Sequence, residues 1–158
     1  MYQKILVPLD GSKLSEAILA YVRGMTATGE SEVVLLQVPD YPIYDERLMD
    51  AELVSMVRRH VDAETRGYLS AIAGDLQSNG RKVSCALGKG DIAEAILDWA
   101  DRVKADLIAM STNGRSGVEL WLIGSVTDQV LHSAEIPLLV IRPRMEVSDR
   151  AAMPVHGA

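Results

Sequence analysis

At 158 residues, with 48% hydrophobic and 24% charged side chains, the chain is long enough for one core, too apolar to be disordered, and shows no sign of a second domain. The formal net charge of −6 comes without a run of Lys or Arg, the densest basic spot being Arg58-Arg59-His60 among acidic neighbours, so nucleic acid is not an expected partner. The single cysteine, Cys85, excludes an internal disulfide, no Cys/His spacing matches a zinc site, and no apolar run approaches transmembrane length; with Met1 leading directly into Ile5-Leu6-Val7, the chain reads as cytoplasmic, with no membrane partner.

The first apolar run, Ile5 to Pro8, reads as a buried strand. A helical face of Leu14, Ala17, Ile18, Tyr21, Val22 and Met25 follows, with Ser12 at the N-cap position. Val33 to Val38 is the second strand. Residues 39–48, with Pro39, Tyr41, Pro42 and Tyr44, form a loop longer than the usual connection; it is read either as a lid over a site or as a surface excursion packed by its tyrosines. The next helix runs from about Asp50 to Ser78, with the stripe Leu53, Val57, Val61, Leu69, Ile72 and Leu76 and the stop Asn79-Gly80. A third strand, Val83 to Leu87, mixes in polar residues that suit a sheet edge. It leads to a helix opened by the Asp91/Glu94 capping-box pair and burying Ile92, Ile96, Ala100 and Val103. The fourth strand is Leu107 to Met110, the last helix Ser125 to Ala134 with Val126, Val130 and Leu131 inward, and the last strand Leu138 to Ile141. Near-continuous apolar strands alternating with amphipathic helices imply an α/β open three-layer sandwich. The domain is expected over residues 1–143, with a disordered tail over 144–158. A last strand that is wholly apolar and sits at an edge needs covering, and pairing of two copies through Leu138 to Ile141 as a homodimer would cover it.

Small residues cluster after the fourth strand in Met110-Ser111-Thr112-Asn113-Gly114-Arg115-Ser116-Gly117 and again at Gly124-Ser125 before the last helix. Glycines let a backbone approach something closely, and the amides and dipole at a helix start attract anions, with the hydroxyls of Ser111, Ser116 and Ser125 as further donors. Ser125 and Asp128 have the spacing of a helix start. Two readings stay open on this pattern alone: a phosphate cradle, or a glycine-rich turn into a capped helix. Pro8-Leu9-Asp10-Gly11-Ser12 places a carboxylate at the end of the first strand, the edge where ligands gather in open α/β sheets. Asp10 reads as a ligand for ribose hydroxyls or a phosphate-bound metal ion, or as a turn aspartate beside Gly11.

These segments resemble the universal stress protein family: Lys4 through Ser12, the Leu35-Leu36-Gln37-Val38 strand, and Gly-Arg-Ser-Gly with Gly-Ser-Val-Thr downstream. The likeness covers residues 2–143. The family's ATP signature is Gly-x-x-Gly, nine residues, then Gly followed by Ser or Thr; Gly114, Gly124 and Ser125 match it, and Ser111 stands where the first glycine is expected. The resemblance implies an adenine nucleotide alpha hydrolase-like fold, a five-stranded parallel sheet in the order 3-2-1-4-5, and dimerisation through the last strand. It implies ATP, ADP or AMP, with Mg²⁺, as ligand. The base would meet the Val38 backbone, with Pro8, Leu9 and Met110 lining base and sugar. Asp10 would face the ribose or the metal. Phosphates would lie on Ser111, Gly114, Gly124, Ser125, Val126 and Thr127, with Arg115 as a further contact. The expected role is a nucleotide-dependent stress sensor or regulator with an unidentified protein client. Two alternatives are a dimeric interaction protein without nucleotide, and a nucleotide hydrolase or transferase.

Other signals point elsewhere or nowhere. Gly88-Lys89-Gly90-Asp91-Ile92-Ala93 matches a dinucleotide fingerprint, but it follows an edge-like third strand and puts a carboxylate at the anion position, so a tight turn with a cap is preferred. The P-loop pattern is absent, and the acids of a receiver domain are missing. His60, His132 and His156 are scattered and form no triad; Cys85 reads as a core filler, and Trp121 as packing between the halves of the small-residue loop. No residue stands out as a general base, so any ATP hydrolysis is expected to be slow.

Overall fold

The computed structural model describes residues 2–27, 30–42, 50–112 and 124–143. In chain order the elements are β1 (Lys4–Pro8), α1 (Lys13–Glu16), α2 (Ile18–Met25), β2 (Glu32–Gln37), α3 (Ala51–Gln77), β3 (Lys82–Leu87), α4 (Ile92–Val103), β4 (Leu107–Ser111), α5 (Ser125–Ser133) and β5 (Leu138–Ile141). The strands form one parallel sheet ordered β3-β2-β1-β4-β5, as the resemblance implied.

Period-2 alternation sorts the apolar strands onto two layers. Ile5, Val7, Val33, Leu35, Leu107 and Ala109 face a cluster with Ile18, Leu19 and Val22 of α2 and Leu69 and Leu76 of α3. Leu6, Val34, Leu36, Ile108 and Met110 face the other, with Ile96 and Ala100 of α4 and Val130 of α5. Ile5, Leu6 and Val7 are all inaccessible to solvent, which is why that run shows no polar alternation. Each such side chain contributes about 1.5–3 kcal/mol by its burial.

Local capping fixes three helix starts. Ser12, Asp50 and Asp91 each accept a backbone N–H of the first turn, from Ser15, Glu52 and Glu94. The helix expected after Ser12 is interrupted at Ala17, so α1 and α2 are two segments. α2 ends under Arg81, whose Nε–H donates to Thr26 Oγ1 (2.8 Å) and whose terminal nitrogen donates to the Arg23 carbonyl (2.7 Å). This satisfies acceptors that a helix end leaves open. Gly80, after α3, has φ +78°, so the expected Asn79-Gly80 stop is present.

Several positions expected inside are outside. Tyr21 (55% exposed), Leu53 (44%), Ile92 (46%) and Leu131 (49%) lie on helices whose periodicity is sound but whose neighbouring layer does not reach them. For Leu53 the reason is length. A 27-residue helix is about 40 Å long, whereas strands of six residues span about 20 Å, so the first half of α3 overhangs the sheet. Cys85, expected in the core, is exposed on β3, because β3 is an edge strand.

Candidate functional site

The sheet order makes β1 and β4 neighbours whose outgoing connections leave to opposite faces: β1 runs into α1 on the α2/α3 side, and β4 precedes α5 on the α4 side. Their carboxyl ends therefore border a crevice. Pro8 closes β1, Leu9 (5% exposed) follows it with its N–H on the Leu36 carbonyl (2.8 Å), and Asp10 comes next.

Asp10 sits in a closed polar turn. Its Oδ1 accepts from the Ser12 N–H (2.9 Å) and from the Ser12 hydroxyl (2.6 Å). The Ser12 Oγ in turn accepts the Ser15 N–H, and the Ser15 hydroxyl donates to the Ser12 carbonyl. Gly11, with φ +83°, makes the turn accessible to the backbone. Asp10 is thus a turn aspartate held in one orientation at the crevice. Beyond the turn, Tyr68 of α3 donates to Glu16 of α1 (3.3 Å), and burial, with the Glu16 carboxylate close by, pushes its phenol far above the ordinary tyrosine value.

On the β4 side, Met110 and Ser111 are buried, and Ser111 is the last residue of the strand, opposite Ile141. Among the described residues Lys104 alone is a non-glycine with positive φ, so Ser111 has a backbone that does not call for glycine. This explains how serine is accommodated at the first position of the glycine pattern. Thr112 donates its N–H to the Ile141 carbonyl (2.8 Å) and accepts the Gly124 N–H on its own carbonyl (3.1 Å), which closes the two ends of the small-residue segment onto each other. A Cβ at Gly124 would lie 2.6 Å from the Thr112 oxygen, so a side chain has no room there.

Gly124, not Ser125, is the N-cap of α5, and no side chain among the described residues caps this helix. The S-x-x-D spacing is one residue out of register with the cap: Ser125 occupies the first helical position and is exposed, Val126 is half-buried, and Thr127 is buried with its hydroxyl on the Ser111 carbonyl (3.4 Å). Helical geometry gives the first-turn amides of Ser125, Val126 and Thr127 no intrahelical acceptor, and the dipole makes that end electropositive. The structure brings Pro8, Leu9, Asp10, Val38, Met110, Ser111, Gly124, Ser125, Val126 and Thr127 to one edge of the sheet. Gly114, Arg115, Ser116 and Trp121 lie outside the described residues, as does most of the 39–48 connection.

Two residues at this edge were not singled out from the sequence. The two buried side-chain oxygens that lack a hydrogen-bond partner among the described residues are Gln37 Oε1, at the end of β2, and Thr112 Oγ1, just past β4. They flank the end of β1 on either side. Gly88, after β3, packs beside the first of them: its N–H bonds the Gln37 carbonyl (2.8 Å), and a Cβ there would meet Val38 Cγ2 at 2.7 Å. Gly88-Lys89-Gly90 is the tight turn expected, with Gly90 at φ +81° and Asp91 capping α4.

The opposite edge carries a groove of about 620 Å³ lined by Lys4, Lys82 and Lys104 against Glu30, Glu32 and Asp106. Lys4 is paired with Glu32 (3.0 Å), and Asp106 is occupied by the Gln3 and Lys4 amides, so this charge-balanced groove presents no convergent set of one polarity. His60 and His132 are exposed on separate helices, and no group of three metal-binding side chains occurs among the described residues. No helix among them is long and apolar enough to cross a membrane.

A parallel sheet with a single reversal of connection defines a doubly wound α/β protein, the class in which ligands gather at the switch point. The chain matches the model of the universal stress protein family over residues 1–142 and belongs to that family. It is 30% identical over 149 residues to universal stress protein MJ0531 of Methanocaldococcus jannaschii, covering 92% of this chain and 86% of that protein. The solved structure of MJ0577, from the same organism, superposes with a TM-score of 0.80 at 28% identity, covering 92% of this chain and 99% of the other. A family protein of Arabidopsis thaliana, solved with AMP bound, shares the fold at a TM-score of 0.67 and 19% identity, covering 98% of this chain and 97% of its own.

Proposed function

We propose that the chain binds ATP at the crevice between β1 and β4 and serves in the stress response as a nucleotide-dependent regulator in the cytoplasm. The observation that carries this reading is the pair of orphaned oxygens, Gln37 Oε1 and Thr112 Oγ1, on either side of the β1 end. A buried polar atom without a partner costs about 1–3 kcal/mol, and two at one edge fit a site completed by a polar ligand. The AMP found in the Arabidopsis relative supports an adenine nucleotide as that ligand.

In this reading the phosphates rest on the α5 amides of Ser125, Val126 and Thr127, with the hydroxyls of Ser125 and Thr112, and the backbone approaches them at Gly124 and Ser111. Gly114 and Arg115 belong to the same cradle by their place in the signature. Pro8, Leu9 and Met110 line the base and sugar, and Val38 meets the base through its backbone. Asp10, held by Ser12, faces the ribose or a Mg²⁺ ion carried in on the phosphates. When bound, the ion would neutralise phosphate charge. Turnover is expected to be slow, because no described side chain is placed as a general base and Asp10 Oδ1 already accepts two hydrogen bonds from its turn. Dimerisation through β5 belongs to the same reading: Leu138, Leu139 and Val140 are only half-buried at an open edge, and Leu131 of α5 is exposed.

The test is to denature the purified protein and identify released nucleotide by chromatography, with calorimetry against ATP and AMP. Adenine nucleotide in the supernatant, or saturable binding below the millimolar range, is the expected result. No release and no binding at millimolar nucleotide would leave a dimeric interaction protein as the better account.

A further inference from the structure

We propose that Gln37 reads the 6-position of the purine, its buried carbonyl oxygen accepting a hydrogen bond from the exocyclic amine of adenine; this rests on the nucleotide reading above. Gln37 ends β2, is 6% exposed, and its Oε1 has no partner among the described residues. The cradle determines which end of the ligand reaches it. Thr112 alternates with Ile108 and Met110, on the face covered by α5, so the orphan on the β4 side lies with the helix amides, and the phosphates belong there. Gln37 alternates with Val33 and Leu35 on the other face and lies two strands away, about 10 Å at the usual strand spacing. That separation matches the reach from phosphate to base in an extended nucleotide, so the base end falls at β2.

The chemistry there is selective. Gly88 adds no side chain and donates its N–H to the Gln37 backbone carbonyl, which leaves the side-chain oxygen as the orphaned acceptor at the β2 end. Adenine carries an amine at C6, a donor that this oxygen can accept. Hypoxanthine and guanine carry a carbonyl, which sets oxygen against oxygen. A site built to bond an N–H discriminates against the analogue that lacks it, because its buried group then stays unpaired.

The experiment is calorimetric titration of the full chain with ATP and with inosine triphosphate, which differs from ATP by carbonyl for amine at C6. Wild type and Gln37→Leu are compared, with Gln37→Met as a second apolar variant of similar volume should the first fail to fold. Wild type is expected to prefer ATP. Gln37→Leu is expected to lose roughly fivefold to tenfold in ATP affinity, the usual net worth of one hydrogen bond, while inosine triphosphate changes less than about twofold. Its melting temperature without nucleotide should be unchanged or higher, since an unpaired buried group has been removed. An ATP preference that is the same in wild type and variant would overturn the assignment while leaving nucleotide binding intact. Wild type binding neither nucleotide would remove the nucleotide reading and this assignment with it.

Discussion

Gly124→Ala tests the cradle most directly. Gly124 has φ −58°, a conformation alanine adopts without strain, so backbone freedom is not what requires glycine here. What requires it is the Thr112 carbonyl oxygen, 2.6 Å from where the new Cβ would stand, well inside van der Waals contact. That oxygen is backbone, and the Thr112 N–H is fixed to Ile141, so it cannot swing aside as a flexible side chain would. Relief has to come from moving the start of α5 away from the end of β4, which also lengthens the hydrogen bond from Gly124 to Thr112. Overpacking of this kind costs about 1–3 kcal/mol. For a chain of this size that lowers the melting temperature by roughly 2–12 °C. Because the α5 amides move with the helix, ATP affinity should fall by about tenfold or more, equivalent to about 1.4 kcal/mol. Urea denaturation with and without ATP, alongside calorimetry, measures both effects. Ser125→Ala is the control: the side chain is exposed and caps nothing, so stability should change by no more than about 0.5 kcal/mol. Gly124→Ala with wild-type stability and wild-type ATP affinity would refute the close-approach argument.

Thr112→Val replaces an unpartnered buried hydroxyl with a methyl of the same shape; the variant should be at least as stable as wild type in urea without nucleotide, and should bind ATP more weakly by calorimetry. Tyr68→Phe bears on pH. The folded state raises the phenol above its unfolded value, so its contribution is intact below about pH 10 and is lost as pH climbs from there toward the folded value. Wild type should therefore lose stability between about pH 10 and 12 more steeply than Tyr68→Phe in parallel urea melts, and equal slopes would count against the half-buried Tyr68–Glu16 contact. Val140→Pro addresses assembly. The Pro137 and Ile141 carbonyls already bond β4, which turns the intervening Val140 N–H toward the open edge, where proline is tolerated but cannot donate. Sedimentation should show a dimer for wild type and a folded monomer for the variant.

What the sequence disclosed follows the range over which each signal acts. Asp50 and Asp91 were legible as helix starts because a cap is satisfied within three residues. The strands were legible because burial on both faces leaves unbroken apolar runs, but their order came only with the family resemblance, since periodicity carries no information about which strands pair. Leu53, Ile92 and Leu131 show the corresponding limit: spacing reports which face of a helix is apolar, not how far the neighbouring layer extends beneath it. At the site, Asp10 and Gly124 stood out by residue type and place. Gln37 and Thr112 did not, because a polar residue closing a strand is ordinary; only the absence of partners around their buried oxygens distinguishes them, and that is a property of the assembled edge.

The overhang of α3 divides one continuous helix into two regimes. Its C-terminal half is fastened to the sheet by Leu69 and Leu76, both inaccessible to solvent, so opening it requires breaking the main core. Its N-terminal half has Leu53 and Met56 in solvent and is tied, among the described residues, by the Tyr41 hydroxyl donating to Asp62; isolated helical segments of that length are marginal in water. The less buried half is the one that receives the chain from β2, whose end borders the candidate site, and Tyr41, beyond that end, is bonded to it. A displacement at the β2 end is therefore passed through Tyr41 to the lightly packed half of α3, while the sheet and the Asp10 turn keep their shape.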